Sequence, residues 1–127
     1  MYYIYDEDIR GGLEAINKAV KDILTQTSSI INDEDLLFDL RLVLNELLIN
    51  AYTHGNQGNQ EKLLKLRLIV DDIELKLRIK DQGTGIKRSM YNCDNLLDHG
   101  RGLHLVENLV DAFEIDQNIV RCLVARR

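Results

Sequence analysis

No stretch of this 127-residue sequence is long and apolar enough to cross a bilayer. Basic residues are also in short supply: 16 Lys and Arg against 21 Asp and Glu leave a net charge of -5. That balance excludes a nucleic acid or an anionic membrane as the main partner, because either would favour a basic face. The chain has 2 cysteines, Cys93 and Cys122, with no metal-ligand spacing between them. A disulfide framework and a zinc site are therefore excluded, and reduced thiols in the cytoplasm are expected. His54, His99 and His104 lack matched spacing and make a poor metal site. The opening Tyr2-Tyr3-Ile4-Tyr5 runs into Asp6, Glu7 and Asp8, too short and too acidic for a signal peptide. With no repeat, low-complexity tract or Gly/Ser-rich linker, residues 1–127 read as a single domain, long enough for a core of its own.

What is present is a clear order of periodicities. Tyr2 to Tyr5 fits an edge strand. From Gly12 to Gln26, Leu13, Ile16, Ala19, Val20, Ile23 and Leu24 recur at helical spacing. Asn32 or Asp33 is placed to cap a second helix running to about Tyr52 and stopped by Gly55. Leu64, Leu66, Leu68 and Val70, then Ile73, Leu75, Leu77 and Ile79, alternate with mostly charged residues. Two strands with one wet face follow, joined by a tight turn at Asp71-Asp72. A polar stretch from Gly83 to about His99 precedes a third helix, Leu103 to Ala112, and a closing strand pair, Phe113 to Gln117 and Ile119 to Val124. Runs of strands rather than strict alternation with helices predict an α+β, two-layer sandwich: three helices packed on one mixed, mostly antiparallel sheet.

Three short segments carry candidate chemistry. At about 100° per residue, Asp39, Leu42, Val43, Glu46, Asn50 and Thr53 fall on one face of the second helix, and Leu37, Leu40, Leu44, Leu48 and Ala51 on the other. The aliphatic face anchors the helix on a sheet, so the polar stripe is expected to face solvent, a cleft or a partner. An amide such as Asn50 is a suitable hard ligand for Mg²⁺, and a carboxylate one turn away, Glu46, can accept a proton from a hydroxyl or water. Asp81 ends a strand before Gly83 and Gly85, which permit positive φ and close approach of a flat ligand. When ionised, Asp81 only accepts hydrogen bonds, which suits an exocyclic amine such as that of adenine. Gly100 and Gly102 open a helix whose free amides and dipole favour phosphate, with Arg101 beside them. Singly, each segment is ordinary helix or turn chemistry. Their conjunction is not.

In this order, Glu46 to Gly55, Asp81 to Gly85 and Gly100 to Leu103 resemble the N box and two glycine boxes of the ATP-binding superfamily shared by DNA gyrase, a heat-shock chaperone and sensor histidine kinases. The form Asn50-Ala51-x-x-His54-Gly55 is most similar to the compact anti-sigma-factor serine kinases, and no Walker signature is present. The resemblance implies a histidine-kinase-type ATP-binding fold and a cytoplasmic serine/threonine kinase. Such a protein binds a sigma factor and uses Mg²⁺ and ATP to phosphorylate a serine of an antagonist protein. It also implies Glu46 as general base, Asn50 as Mg²⁺ ligand, Asp81 as adenine reader, and Gly83, Gly85, Gly100, Arg101 and Gly102 as nucleotide-contacting loops. Ile86 to His99, with Lys87, Arg88 and Cys93, would form a short ATP lid. The chain departs from the family at Gln117-Asn118-Ile119-Val120, where a Gly-Thr pair is usual. Two other classes stay open: a nucleotide-dependent protein-binding switch without phosphotransfer, and a stand-alone histidine-kinase-like ATP-binding domain whose phosphoacceptor lies on another chain. A homodimer is compatible with the strand edges and helical faces but not specified by them.

Overall fold

The computed structural model describes residues 2–83 and 105–126. In chain order these form β1 (Tyr3–Ile9), α1 (Leu13–Thr27), α2 (Glu34–Asn50), a π-helical turn (Ala51–Gly55), β2 (Leu64–Val70) and β3 (Glu74–Lys80). Residues 105–109 belong to a further helix, α3, followed by β4 (Ala112–Asp116) and β5 (Ile119–Ala125). The five strands make one sheet in the order β1-β2-β3-β5-β4. Each neighbouring pair is antiparallel, so the sheet expected to be mostly antiparallel is wholly so among the described strands.

Alternation along the strands separates the two faces. Leu64, Leu66, Leu68 and Val70 of β2 and Leu75, Leu77 and Ile79 of β3 point inward and are buried. They meet Ile16 and Ile23 of α1, Leu44 and Leu48 of α2 and Val106 of α3 in one hydrophobic cluster. Each fully buried Leu or Ile contributes roughly 1.5–3 kcal/mol by leaving water. The opposite face of the sheet carries the charged residues of the alternation.

Local chemistry sets the boundaries. β1 is longer than the apolar opening suggested, because Asp6 and Asp8 point outward and only Glu7 shares the inward side with Tyr3 and Tyr5. Gly11 and Gly12 then turn the chain into α1 with φ of 121° and 77°, backbone that only glycine adopts without strain. Asp33 is the expected cap of α2: its Oδ1 accepts from the Asp35 and Leu36 amides at 2.9 and 3.2 Å. In the β2–β3 turn, Asp71 closes the loop and Asp72 and Ile73 occupy its tip; Ile73, expected in the strand, is 71% exposed. Arg126 pins this turn to the helix layer by donating from Nη1 to the Asp71 carbonyl at 2.7 Å and from Nη2 to the Ile30 carbonyl at 3.1 Å.

Candidate functional site

The site is assembled where α2 ends against the far end of β3. Beyond Asn50 the helix widens by one residue into the π turn, closed by the Asn56 amide donating to the Ala51 carbonyl at 2.8 Å. An inserted residue rotates everything after it around the axis, and such turns recur at functional sites. Here it carries Gly55 to the Asp81 carboxylate. A methyl group on Gly55 would overlap the Asp81 side chain, and one on Gly83 would overlap the Gly55 carbonyl. Helix end and strand end therefore interlock through two α-carbons that must stay bare. Gly83 does not adopt positive φ, so the reason expected for this glycine is corrected: close backbone approach requires it, not left-handed geometry.

Asp81 is 3% exposed. Its Oδ1 accepts from the Gly83 amide at 2.7 Å. Burial pushes its pKa above the ordinary carboxylate value, against the opposing pull of the Gly83 amide and the Lys62 charge. From behind, Asn118 grips its main chain: the Asp81 amide donates to the Asn118 carbonyl at 3.0 Å, and Asn118 Nδ2 donates to the Asp81 carbonyl at 2.6 Å. This is the segment where the family's Gly-Thr pair is absent, and the asparagine anchors the carboxylate-bearing backbone there. The neighbouring Gln117 takes a φ of 56°, a conformation glycine would adopt without strain.

Asn50 is 7% exposed and, among the described residues, its buried Nδ2 has no hydrogen-bond partner. An unsatisfied buried amide costs on the order of 1–3 kcal/mol, so such a group is either a fault or a place kept for a ligand. Glu46 lies one turn earlier and is half-buried. The helical wheel grouped Val43 with the stripe expected to face solvent, a cleft or a partner, and this is corrected: Val43 is part of the hydrophobic core, while Asn50 of the same stripe is buried at the helix end. The buried arc is wider than the aliphatic residues alone indicate, and Glu46 stands on its margin while Asn50 lies inside it.

Asn56, which sequence reasoning missed, is fully buried and ties three segments together. Its Nδ2 donates to the Leu63 carbonyl at 3.1 Å and its Oδ1 accepts from the Gln82 amide at 2.7 Å. Gln82 Oε1 in turn accepts from the Leu63 amide at 2.6 Å. Its position directly after His54-Gly55 is the only sequence signal, and a lone asparagine after a glycine reads as an ordinary turn residue. Of the expected site, Asp81 and Gly83 are brought against Gly55, and Glu46 and Asn50 share the end of α2. Gly85, Gly100, Arg101, Gly102 and the expected lid lie outside the described residues. His54 sits in the last turn of the π segment, and Cys122 is buried, its thiol pushed up to about 12 by desolvation. Among the described residues no cluster of His, Cys, Asp and Glu could hold a metal by itself, and no helix is long and apolar enough to cross a membrane.

The model of one protein family, the histidine kinase-like ATPase domain, matches residues 11–124. The chain belongs to that family. An anti-sigma F factor of Bacillus cytotoxicus is 30% identical over 89 residues, covering 65% of this chain and 61% of that protein. One from Bacillus cereus is 29% identical over the same length. The chain thus spans less than two thirds of the curated relatives it matches. Among solved structures, the histidine kinase domain of the Erythrobacter litoralis EL346 blue-light activated kinase superposes with a TM-score of 0.56 at 15% identity, covering 86% of this chain and 60% of that one. That likeness supports the histidine kinase-like ATPase fold alone.

Proposed function

We propose that this histidine kinase-like ATPase domain binds Mg-ATP between α2 and the end of β3 and transfers the γ-phosphate to a serine or threonine of an antagonist protein, acting as an anti-sigma regulator in the cytoplasm. The observation that carries the reading is the Asp81 carboxylate, buried at the strand end and framed by two glycines that leave room for nothing but backbone. A desolvated carboxylate with one oxygen on an amide is suited to accept a hydrogen bond from a planar amine such as adenine's. In the apo protein its burial is a cost, which a donor on the nucleotide offsets.

Asn50 supplies the second part. Its side-chain oxygen would hold Mg²⁺, while the unpartnered Nδ2 is free to donate to a phosphate oxygen or water. An ion held there would supply charge neutralisation to the phosphates. Glu46, one turn back on the margin of the buried arc, takes the proton from the attacking hydroxyl. Gly83, Gly85, Gly100, Arg101 and Gly102 are assigned to the nucleotide-contacting loops by their place in the family pattern, with Gly100, Arg101 and Gly102 toward the phosphates. The relatives are named anti-sigma F factors, and this supports a sigma factor and its antagonist as partners.

A second reading, a nucleotide-gated binding module without transfer, is favoured by one observation: Asn118 stands in place of the family's Gly-Thr pair. Glu46→Gln separates the two. The amide keeps the shape but cannot take a proton, so Mg-ATP affinity is expected to persist while labelled phosphate on the antagonist falls by roughly 100-fold or more. Transfer at the wild-type rate would remove Glu46 from the role of base. Acid-stable label on the partner marks serine or threonine, and acid-labile label marks histidine.

A further inference from the structure

The sheet face turned away from the helices carries a charge pattern that the nucleotide site does not use. The strand register places Arg67 opposite Arg78 and Arg78 opposite Arg121, and in the next row Lys65 opposite Lys80. All five project outward, since their neighbours along each strand are the buried core residues. Like charges directly across a ladder are unfavourable. In a chain of net charge -5, a basic band retained on the three central strands therefore points to an anion it meets.

The surroundings narrow what that anion is. Edge strands β1 and β4 border the band with Asp6 and Glu114, which reach Arg67 at 4.0 Å and Arg121 at 3.6 Å. Both pairs are long and exposed, and Arg78, between them, has no acid of its own among the described residues. One end of the band turns apolar at Ile69 and Leu123, on either side of Lys76. A shallow groove of about 500 Å³ spans both parts. Strands lie about 4.8 Å apart, so the band from β2 to β5 is about 10 Å wide, the diameter of one α-helix.

We propose that this open face docks an acidic amphipathic helix of a protein partner, its carboxylates on Arg67, Arg78 and Arg121 and its apolar residues on Ile69 and Leu123. A second copy of the chain is disfavoured, because a two-fold contact would lay the arginine row on itself. An extended polyanion would run onto the acids of β1 and β4. The inference stands apart from the nucleotide reading, which concerns the opposite side of the sheet.

The test uses the full ¹⁵N-labelled chain and three probes: a synthetic helical peptide with Glu and Leu on one face, its counterpart with Lys for Glu, and a single-stranded oligodeoxynucleotide. The Glu peptide is expected to shift amide signals of β2, β3 and β5 and to bind about tenfold or more tightly than the Lys peptide. The pair Arg78→Gln with Arg121→Gln should abolish that preference while the fold, read by the amide spectrum, and the Mg-ATP affinity stay as in wild type. The milder Arg78→Ala should weaken binding in the same direction. Equal binding of both peptides, shifts confined to the helix layer, tighter binding of the oligonucleotide, or self-association removed by the double substitution would each overturn the proposal.

Discussion

The turn before β3 and the loop after it each carry an aspartate, and the two are held in opposite ways. Asp71 accepts from the Ile73 and Glu74 amides, both at 2.8 Å, and these bonds hold its pKa below the ordinary carboxylate value. Asp81 is buried and, among the described residues, its carboxylate accepts from one amide, that of Gly83, and its pKa is pushed up by burial. Both read in sequence as turn residues after or before a strand. The difference lies in whether backbone donors outweigh desolvation: where they do, the aspartate builds the fold, and where they do not, it carries a cost that a ligand can offset.

Closing the space around Asp81 breaks the comparison most severely. Gly83→Ala forces a methyl group onto the Gly55 backbone and is expected to destabilise the protein by about 1–3 kcal/mol, seen as a lower urea midpoint, together with loss of ATP binding. Wild-type stability in this variant would mean that the interlock is loose.

Asp81→Asn leaves the space intact and removes the charge. Its expected cost in ATP affinity is about 1.5–3 kcal/mol, tenfold or more, by titration of nucleotide. The ligand-free variant should be no less stable than wild type near neutral pH. Because the folded pKa is raised, the native state holds an extra proton between the ordinary aspartate value of 3.8 and the folded value. Wild-type stability therefore falls as pH rises through that window and is flat above it, and the variant should lack this slope.

Asp71→Asn gives the smallest effect and the opposite sign. A lowered folded pKa contributes stability above 3.8 that is lost as pH falls through the folded value. The variant should melt slightly lower than wild type at neutral pH, converge with it in acid, and bind ATP unchanged. A change in nucleotide affinity would show that the two ends of β3 are not independent.

The contrast between the two aspartates also marks how much was legible in the sequence. Helices α1 and α2, the Asp33 cap, the β2–β3 hairpin and the closing strand pair follow from periods and capping chemistry, which act over a few residues. The three motifs grouped Glu46, Asn50, Asp81 and Gly83 in one expected ATP site; the structure brings Asp81 and Gly83 against Gly55, just past the helix end that carries Glu46 and Asn50. What could not be read is tertiary. The π turn leaves the 100° helical wheel without a valid phase beyond Asn50. The burial of Asn50 and Val43 depends on what packs beside the helix. Gly83 is needed because Gly55, far away in sequence, presses against it. Asn56 and Asn118 act through hydrogen bonds to segments 26 and 37 residues away, and no local pattern encodes such reach. β1 ran on through Asp6 to Ile9 because alternation, not hydrophobicity, sets which side chains of an edge strand need burial.

The most direct test of the central claim is calorimetric titration of Mg-ATP into the wild-type protein, with Asn50→Ala and Asp81→Asn run alongside. Micromolar binding to wild type that is lost or strongly weakened in both folded variants is the expected result. A folded wild type that takes up no nucleotide, or variants that bind as wild type does, would contradict the assignment of the α2–β3 junction as the ATP site.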